Sequence, residues 1–176
     1  LFGYNDILSL EKLFDKFPNE ISCVILEPAA TEHPKNNFLH KVRDLCHKNG
    51  AVFILDEMIT GFRWDLKGAQ AYYNIEADLC TFGKAMANGF SVAAVAGKRE
   101  IMELGSIEKE GQERLFLLST THGAEMNGLG AFVASVKFLK ENDVINHIWT
   151  YGKNLIDLMN GMAKEFGIEK SFIAAS

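Results

Sequence analysis

Short apolar runs alternate with longer stretches of helical spacing along the chain. Ser22-Cys-Val-Ile-Leu26 predicts a strand, closed by Glu27-Pro28. Across residues 36–49 the apolar positions Phe38, Leu39, Val42, Leu45 and Cys46 follow the helix period, and Gly50 is a natural stop. Ala51-Val-Phe-Ile-Leu55 is apolar without alternation, as in a strand buried on both faces of a parallel sheet. Further strands are predicted over residues 78–82, 91–96 and 114–118. Two long helices follow. The first carries Leu129, Phe132, Val133, Val136 and Leu139. The second carries Val144, Ile148, Tyr151, Leu155, Leu158, Met159, Met162 and Phe166. Both stripes predict packing faces. Strand–helix–strand alternation argues an open α/β fold, with a mostly parallel sheet flanked by helices.

Composition narrows the classes. The chain has 176 residues, 48% of them hydrophobic and 23% charged, with 3 prolines, which is a globular make-up of single-domain length. A net charge of −5 argues against a nucleic-acid partner. No apolar run reaches the ~18 residues of a membrane span, so no membrane partner is expected. The opening LFGYNDILSLEKLFDKF has no basic region followed by an apolar one, so no signal peptide is expected. Cys23, Cys46 and Cys80 lie apart in apolar segments, which predicts buried, reduced thiols and a cytoplasmic protein. Ser171–Ser176 closes on no terminal element, and both ends are expected to be truncated from something longer.

Two side chains stand where chemistry would. Asp56 ends the apolar run 52–55, at the carboxyl end of a buried strand, where open parallel sheets place their ligand crevice. It could equally cap a helix or form a structural ion pair. Lys84 follows the 78–82 strand and Gly83, and 28 residues separate it from Asp56, about one helix-containing crossover. Neighbouring strands could therefore aim both groups into one crevice. A lysine in such a pocket can act as an amine nucleophile, whereas an ordinary surface lysine snorkels. A third group, Ser119-Thr120-Thr121-His122-Gly123, sits between a predicted strand and a helix. It suits an anion such as phosphate, or a plain N-cap. His33, His40, His47, His122 and His147 show no HExxH spacing, and no metal site is expected. Val52-Phe-Ile-Leu-Asp-Glu57 also fits a Walker B pattern. A P-loop nucleotidase would need GxxxxGK[ST], yet Gly83-Lys84 is followed by Ala85, and Asp78 stands where the first glycine belongs.

Taken together, Leu55-Asp-Glu-Met-Ile-Thr-Gly-Phe-Arg63 and Thr81-Phe-Gly-Lys-Ala-Met-Ala-Asn-Gly-Phe90 resemble the class III aminotransferases. Within these the chain is most similar to the glutamate-1-semialdehyde 2,1-aminomutase branch. The resemblance runs from about Glu27 through the second long helix. It implies a fold type I large domain and pyridoxal 5'-phosphate as cofactor. It also implies a homodimer that acts on a small-molecule amino substrate. Asp56 would pair with the cofactor's pyridine nitrogen, and Lys84 would form the Schiff base. Met58 would pack on the ring face, Glu27 would lie beside the pocket, and Thr121 would hold the phosphate of the partner subunit. An ionised Asp56 would keep the ring an electron sink, and a displaced Lys84 would shuttle the Cα proton. Three positions depart from the family pattern. Ile59 stands where many members carry Gln, and the aminomutase branch likewise carries an apolar residue there. Glu125-Met126 replaces Asn-Pro, and Ala87-Asn88-Gly89 replaces a Gly triplet.

The resemblance implies that residues 1–176 are part of a cofactor-binding large domain, with the chain from about residue 144 leading toward a small domain. An upstream phosphate loop and the small domain are expected elsewhere in a longer protein, and the isolated segment is expected to be inactive. The expectation is thus an enzyme of amino-group transfer, aminotransferase or aminomutase. A non-catalytic homologue and a P-loop nucleotidase fragment are the alternatives.

Overall fold

The parallel strands form where the apolar runs predict them. In the computed structural model, which describes residues 1–29, 31–106, 108, 111, 113 and 125–174, β1 is Cys23–Leu26, β2 is Val52–Asp56 and β3 is Leu79–Phe82. A fourth strand, β4 (Ala94–Gly97), completes a sheet of order β1-β2-β3-β4. β1, β2 and β3 run parallel, while β4 is antiparallel to β3. The sheet is therefore mostly parallel. The strand expected over 91–96 starts later, at Ala94, after the turn through Asn88 and Gly89. The strand expected over 114–118 lies outside the described residues.

The helix expected over 36–49 forms as α2 (Phe38–Lys48) and supplies the β1–β2 crossover. Its buried Phe38, Leu39, Val42 and Cys46 meet Val24, Phe53 and Leu55 of the sheet in one core. β2 shows why. Phe53 and Leu55 point into that core, while Val52, Ile54 and Asp56 stay half-buried on the opposite face. The unbroken apolar run thus has one fully buried face rather than two. Its other face carries Asp56 at the tip. A helix not among those expected, α1 (Ile7–Lys16), adds Leu10 and Phe14 to the core. Asp6 caps it, the carboxylate accepting from the Ser9 N–H at 3.2 Å.

One buried carboxylate ties the sheet to α2. Asp78 accepts from the Phe53 N–H at 2.7 Å, from Lys98 Nζ at 2.7 Å and from His47 Nε2 at 3.0 Å. Burial alone would raise its pKa. Lys98, the Phe53 N–H and His47 outweigh that effect and hold the group below its ordinary 3.8. Cys46 and Cys80 are buried, and burial pushes each thiol up to about 12. Cys23 is exposed, contrary to the expectation for all three cysteines, because β1 turns alternate residues outward and only Val24 is buried.

The chain divides into two units, Leu1–Val136 and Lys137–Ser176. The predicted long helices form as α5 (Met126–Glu141) and α6 (Val144–Glu165). A short α3 (Ala69–Tyr72) and α4 (Arg99–Met102) complete the described helices. Ile148, Tyr151, Leu155, Leu158, Met162 and Phe166 on α6 are exposed rather than packed. Helical spacing marks which face wants cover and not what covers it. No helix of the described residues is long and apolar enough to cross a membrane.

Because its folded pKa is lowered, Asp78 contributes stability that is complete above 3.8 and is lost as pH falls below it. In the full-length protein, Asp78→Asn is expected to cost about 1.5–3 kcal/mol near neutrality. Denaturant titrations of the two proteins should converge as pH falls through and below the lowered folded-state pKa of Asp78. A gap independent of pH would contradict this role.

Candidate active site

The parallel register sets the geometry. Leu26 pairs with Leu55, and Asp56 pairs with Thr81. Glu27, Asp56 and Thr81 therefore stand side by side at the carboxyl ends of three neighbouring strands, where such sheets bind ligands. Lys84 follows three residues past Thr81, in a single 3-10 turn over Lys84–Met86.

Asp56 is half-buried and held through one oxygen. Its Oδ1 accepts from the Met58 N–H at 3.0 Å and from the Thr81 hydroxyl at 3.0 Å. Among the described residues Oδ2 has no hydrogen-bond partner, and no buried side-chain oxygen or nitrogen is left unsatisfied. Among the described residues Oδ2 is thus an acceptor left open to a ligand. Asp56 is neither a helix N-cap nor part of an ion pair among the described residues.

Met58 links the two strand ends. Its N–H holds Asp56, while its side chain lies against Gly83. A Cβ at position 83 would come within 2.8 Å of the Met58 sulfur, so only glycine lets the thioether lie there. Lys84 itself has φ +44°, a left-handed conformation that costs a non-glycine residue on the order of 1–3 kcal/mol. Its side chain is exposed, and among the described residues it forms no ion pair. A strained backbone just past a strand end is the kind of outlier that functional sites keep. Glu27 is half-buried and makes no hydrogen bond among the described residues. Met58 thus touches both Asp56 and Gly83, the residue before Lys84, and Glu27 stands at the next strand tip. Thr121 and the whole Ser119–Gly123 group lie outside the described residues.

Two functional side chains escaped the sequence reading. Thr81 is one. The other is Glu57, which is wholly buried and accepts from the Thr60 hydroxyl, from the Ala69 N–H at 2.8 Å and from the Gln70 N–H at 2.8 Å. It caps α3, and Gly68 makes room for it: a Cβ there would stand 2.6 Å from the carboxylate oxygens. With its oxygens engaged inside the loop, Glu57 cannot serve as the Walker B glutamate. No local signal marks Glu57, since the N–H groups it caps belong to Ala69 and Gln70, 12 and 13 residues on. Among the described residues no group of three or more His, Cys, Asp or Glu could hold a metal ion.

The donor set fits pyridoxal phosphate. An open carboxylate oxygen suits a protonated ring nitrogen, an exposed amine suits an aldehyde, and a thioether between them suits a flat ring face.

Comparison with known proteins points the same way. The family model described as aminotransferase class-III matches residues 5–170. The glutamate-1-semialdehyde 2,1-aminomutase of Caldicellulosiruptor saccharolyticus is 41% identical over 168 residues, 93% of this chain and 38% of that protein. The protein of the same name from Alkaliphilus oremlandii is 53% identical over 104 residues, 57% of this chain and 24% of that protein. A solved structure of the FumI protein of Sphingopyxis sp. MTA144, in its PLP internal aldimine form, superposes with a TM-score of 0.84 at 20% identity. It covers 94% of this chain and 40% of that one. The sheet and its flanking helices are thus the fold type I arrangement. The chain spans well under half the length of these relatives.

The fit of Met58 over Gly83 is testable. Gly83→Ala is expected to push the flexible end of Met58 aside and to cost up to about 1 kcal/mol in the full-length protein. In a Met58→Ala background the same change should cost under about 0.5 kcal/mol, a coupling that chemical denaturation would read. Equal costs in both backgrounds would place the obstruction elsewhere.

Proposed function

The chain belongs to the class III aminotransferase family, and from that premise we propose that it carries the catalytic core of a pyridoxal-phosphate enzyme of amino-group transfer. The observation that carries the proposal is the join between two strand ends. Met58 donates its N–H to Asp56 and lays its side chain on Gly83, next to Lys84. An acid and an amine are thereby fixed to one short bridge.

Bound there, the cofactor supplies an aldehyde that captures amines and a ring that accepts the electrons left when a substrate Cα proton departs. Asp56 holds a proton at the ring nitrogen through Oδ2. Lys84 anchors the group by its amine. With its amine free, Lys84 would carry the proton to and from a substrate Cα as base and acid, a contribution of about 10²–10⁴ in rate. Met58 covers one ring face and keeps water from it. Glu27 lines the pocket edge, and Thr121 holds the phosphate of the partner subunit in a homodimer. Residues 1–176 form part of the large domain, with the chain from about Val144 leading toward the small domain.

The substrate is an amino/keto or amino-aldehyde compound. The sequence relatives, named as 2,1-aminomutases, support transfer between adjacent carbons of one molecule. Ile59 fits that branch. The unpaired Cys46 and Cys80 support a cytoplasmic setting.

Borohydride treatment of the full-length protein with pyridoxal phosphate should attach the cofactor permanently to Lys84, as peptide mass spectrometry would read. Lys84→Ala should lose the attachment and at least ~10²-fold of the activity. Label on another lysine would overturn the assignment. A reaction that proceeds without an added amino donor identifies a mutase, and a strict need for a donor identifies a transaminase.

A further inference from the structure

The two oxygens of Asp56 are not equivalent, and the difference is made by one hydroxyl. Oδ1 receives the Met58 N–H and the Thr81 Oγ1–H, each at 3.0 Å, and Oδ2 receives nothing among the described residues. The Met58 bond is local, two residues along the chain, and by itself leaves the carboxyl group free to turn about its terminal torsion, which is broad for aspartate. The Thr81 bond comes from the neighbouring strand and removes that freedom. Thr81 is the register partner of Asp56, so its side chain rises from the same face of the sheet. Its carbonyl also accepts the Glu57 N–H at 2.9 Å. The one residue therefore grips the Asp56–Glu57 corner twice, by backbone and by side chain. β-branching suits both the strand position and a fixed hydroxyl direction.

We propose that Thr81 is a positioning residue for the cofactor: its hydroxyl occupies Oδ1 of Asp56 and so keeps Oδ2 aimed at the ring nitrogen. The inference rests on the reading of Asp56 as the ring-nitrogen partner. The backbone grip on Glu57 holds the loop, and any side chain at position 81 leaves it intact. The hydroxyl serves the carboxylate alone. Its loss should spare the fold and weaken the hold on the cofactor.

The test uses the full-length protein with Thr81→Ser, which keeps the hydroxyl, and with Thr81→Ala and Thr81→Val, which lack it. Three quantities are read: the melting temperature of the cofactor-free protein, the dissociation constant for pyridoxal phosphate, and the visible absorption of the bound cofactor, which reports the proton at the ring nitrogen. Ser should bind within about twofold of the parent. Ala and Val should bind at least ~10-fold more weakly, with an altered visible band, as expected for a lost hydrogen bond to a charged group. Serine and alanine differ only in the hydroxyl, so this pair decides the matter should valine disturb the strand. Unchanged binding in Ala and Val, with the band of the parent, would overturn the proposal. So would a serine variant as weak as alanine, which would mean that the methyl group and not the hydroxyl matters. A parent protein that binds no pyridoxal phosphate would instead overturn the reading of the site itself.

Discussion

The site depends on a carboxylate pinned by one of its two oxygens. Asp56 stands at the end of β2, where its parallel partner β3 can reach it with a side chain and its own following turn can reach it with a backbone N–H. Both donors converge on Oδ1. A carboxylate held in this way presents its second oxygen in a fixed direction, and a hydrogen bond to a charged ring nitrogen needs that direction. The parallel register makes the arrangement possible. Strands of equal sense end together, so the acid, the threonine and the lysine that follows are delivered to the same edge of the sheet.

The adjacent acids Asp56 and Glu57 divide the work by strand alternation. Successive side chains leave a strand on opposite faces. Asp56 goes to the open tip, while Glu57 turns into the loop and spends its oxygens on Thr60, Ala69 and Gln70. The buried glutamate fixes the segment from which Met58 projects, and Met58 in turn rests on Gly83 beside Lys84. Stability and chemistry are thus neighbours in sequence and separate in role. Asp78 plays the comparable structural part just before β3, joining Phe53, His47 and Lys98.

Much of this was legible in the sequence. The runs ending at Leu26, Leu55 and Phe82 located the strands, and strand ends located Asp56 and Lys84. The helix from Phe38 was legible because four of its apolar residues are buried on one face. What escaped depends on partners that spacing does not name. Thr81 and Asp56 are 25 residues apart, and only the register joins them. Glu57 reads as the glutamate of a Walker B pattern until the loop that satisfies it is seen. α1 was legible as well: Ile7, Leu10, Leu13 and Phe14 keep helical spacing on the face that meets the core, and the reading passed over them. The apolar face of α6 was read correctly as a face, yet its side chains stay exposed, because amphipathic spacing carries no information about the partner.

The most direct test of the account is a crystal structure of the full-length protein grown with pyridoxal phosphate. Continuous density from Lys84 Nζ to the cofactor is predicted, with the ring nitrogen about 3 Å from Asp56 Oδ2 and Thr81 still on Oδ1. A cofactor bound elsewhere, or Asp56 and Lys84 directed to opposite sides of the sheet edge with no flat space between them, would contradict it.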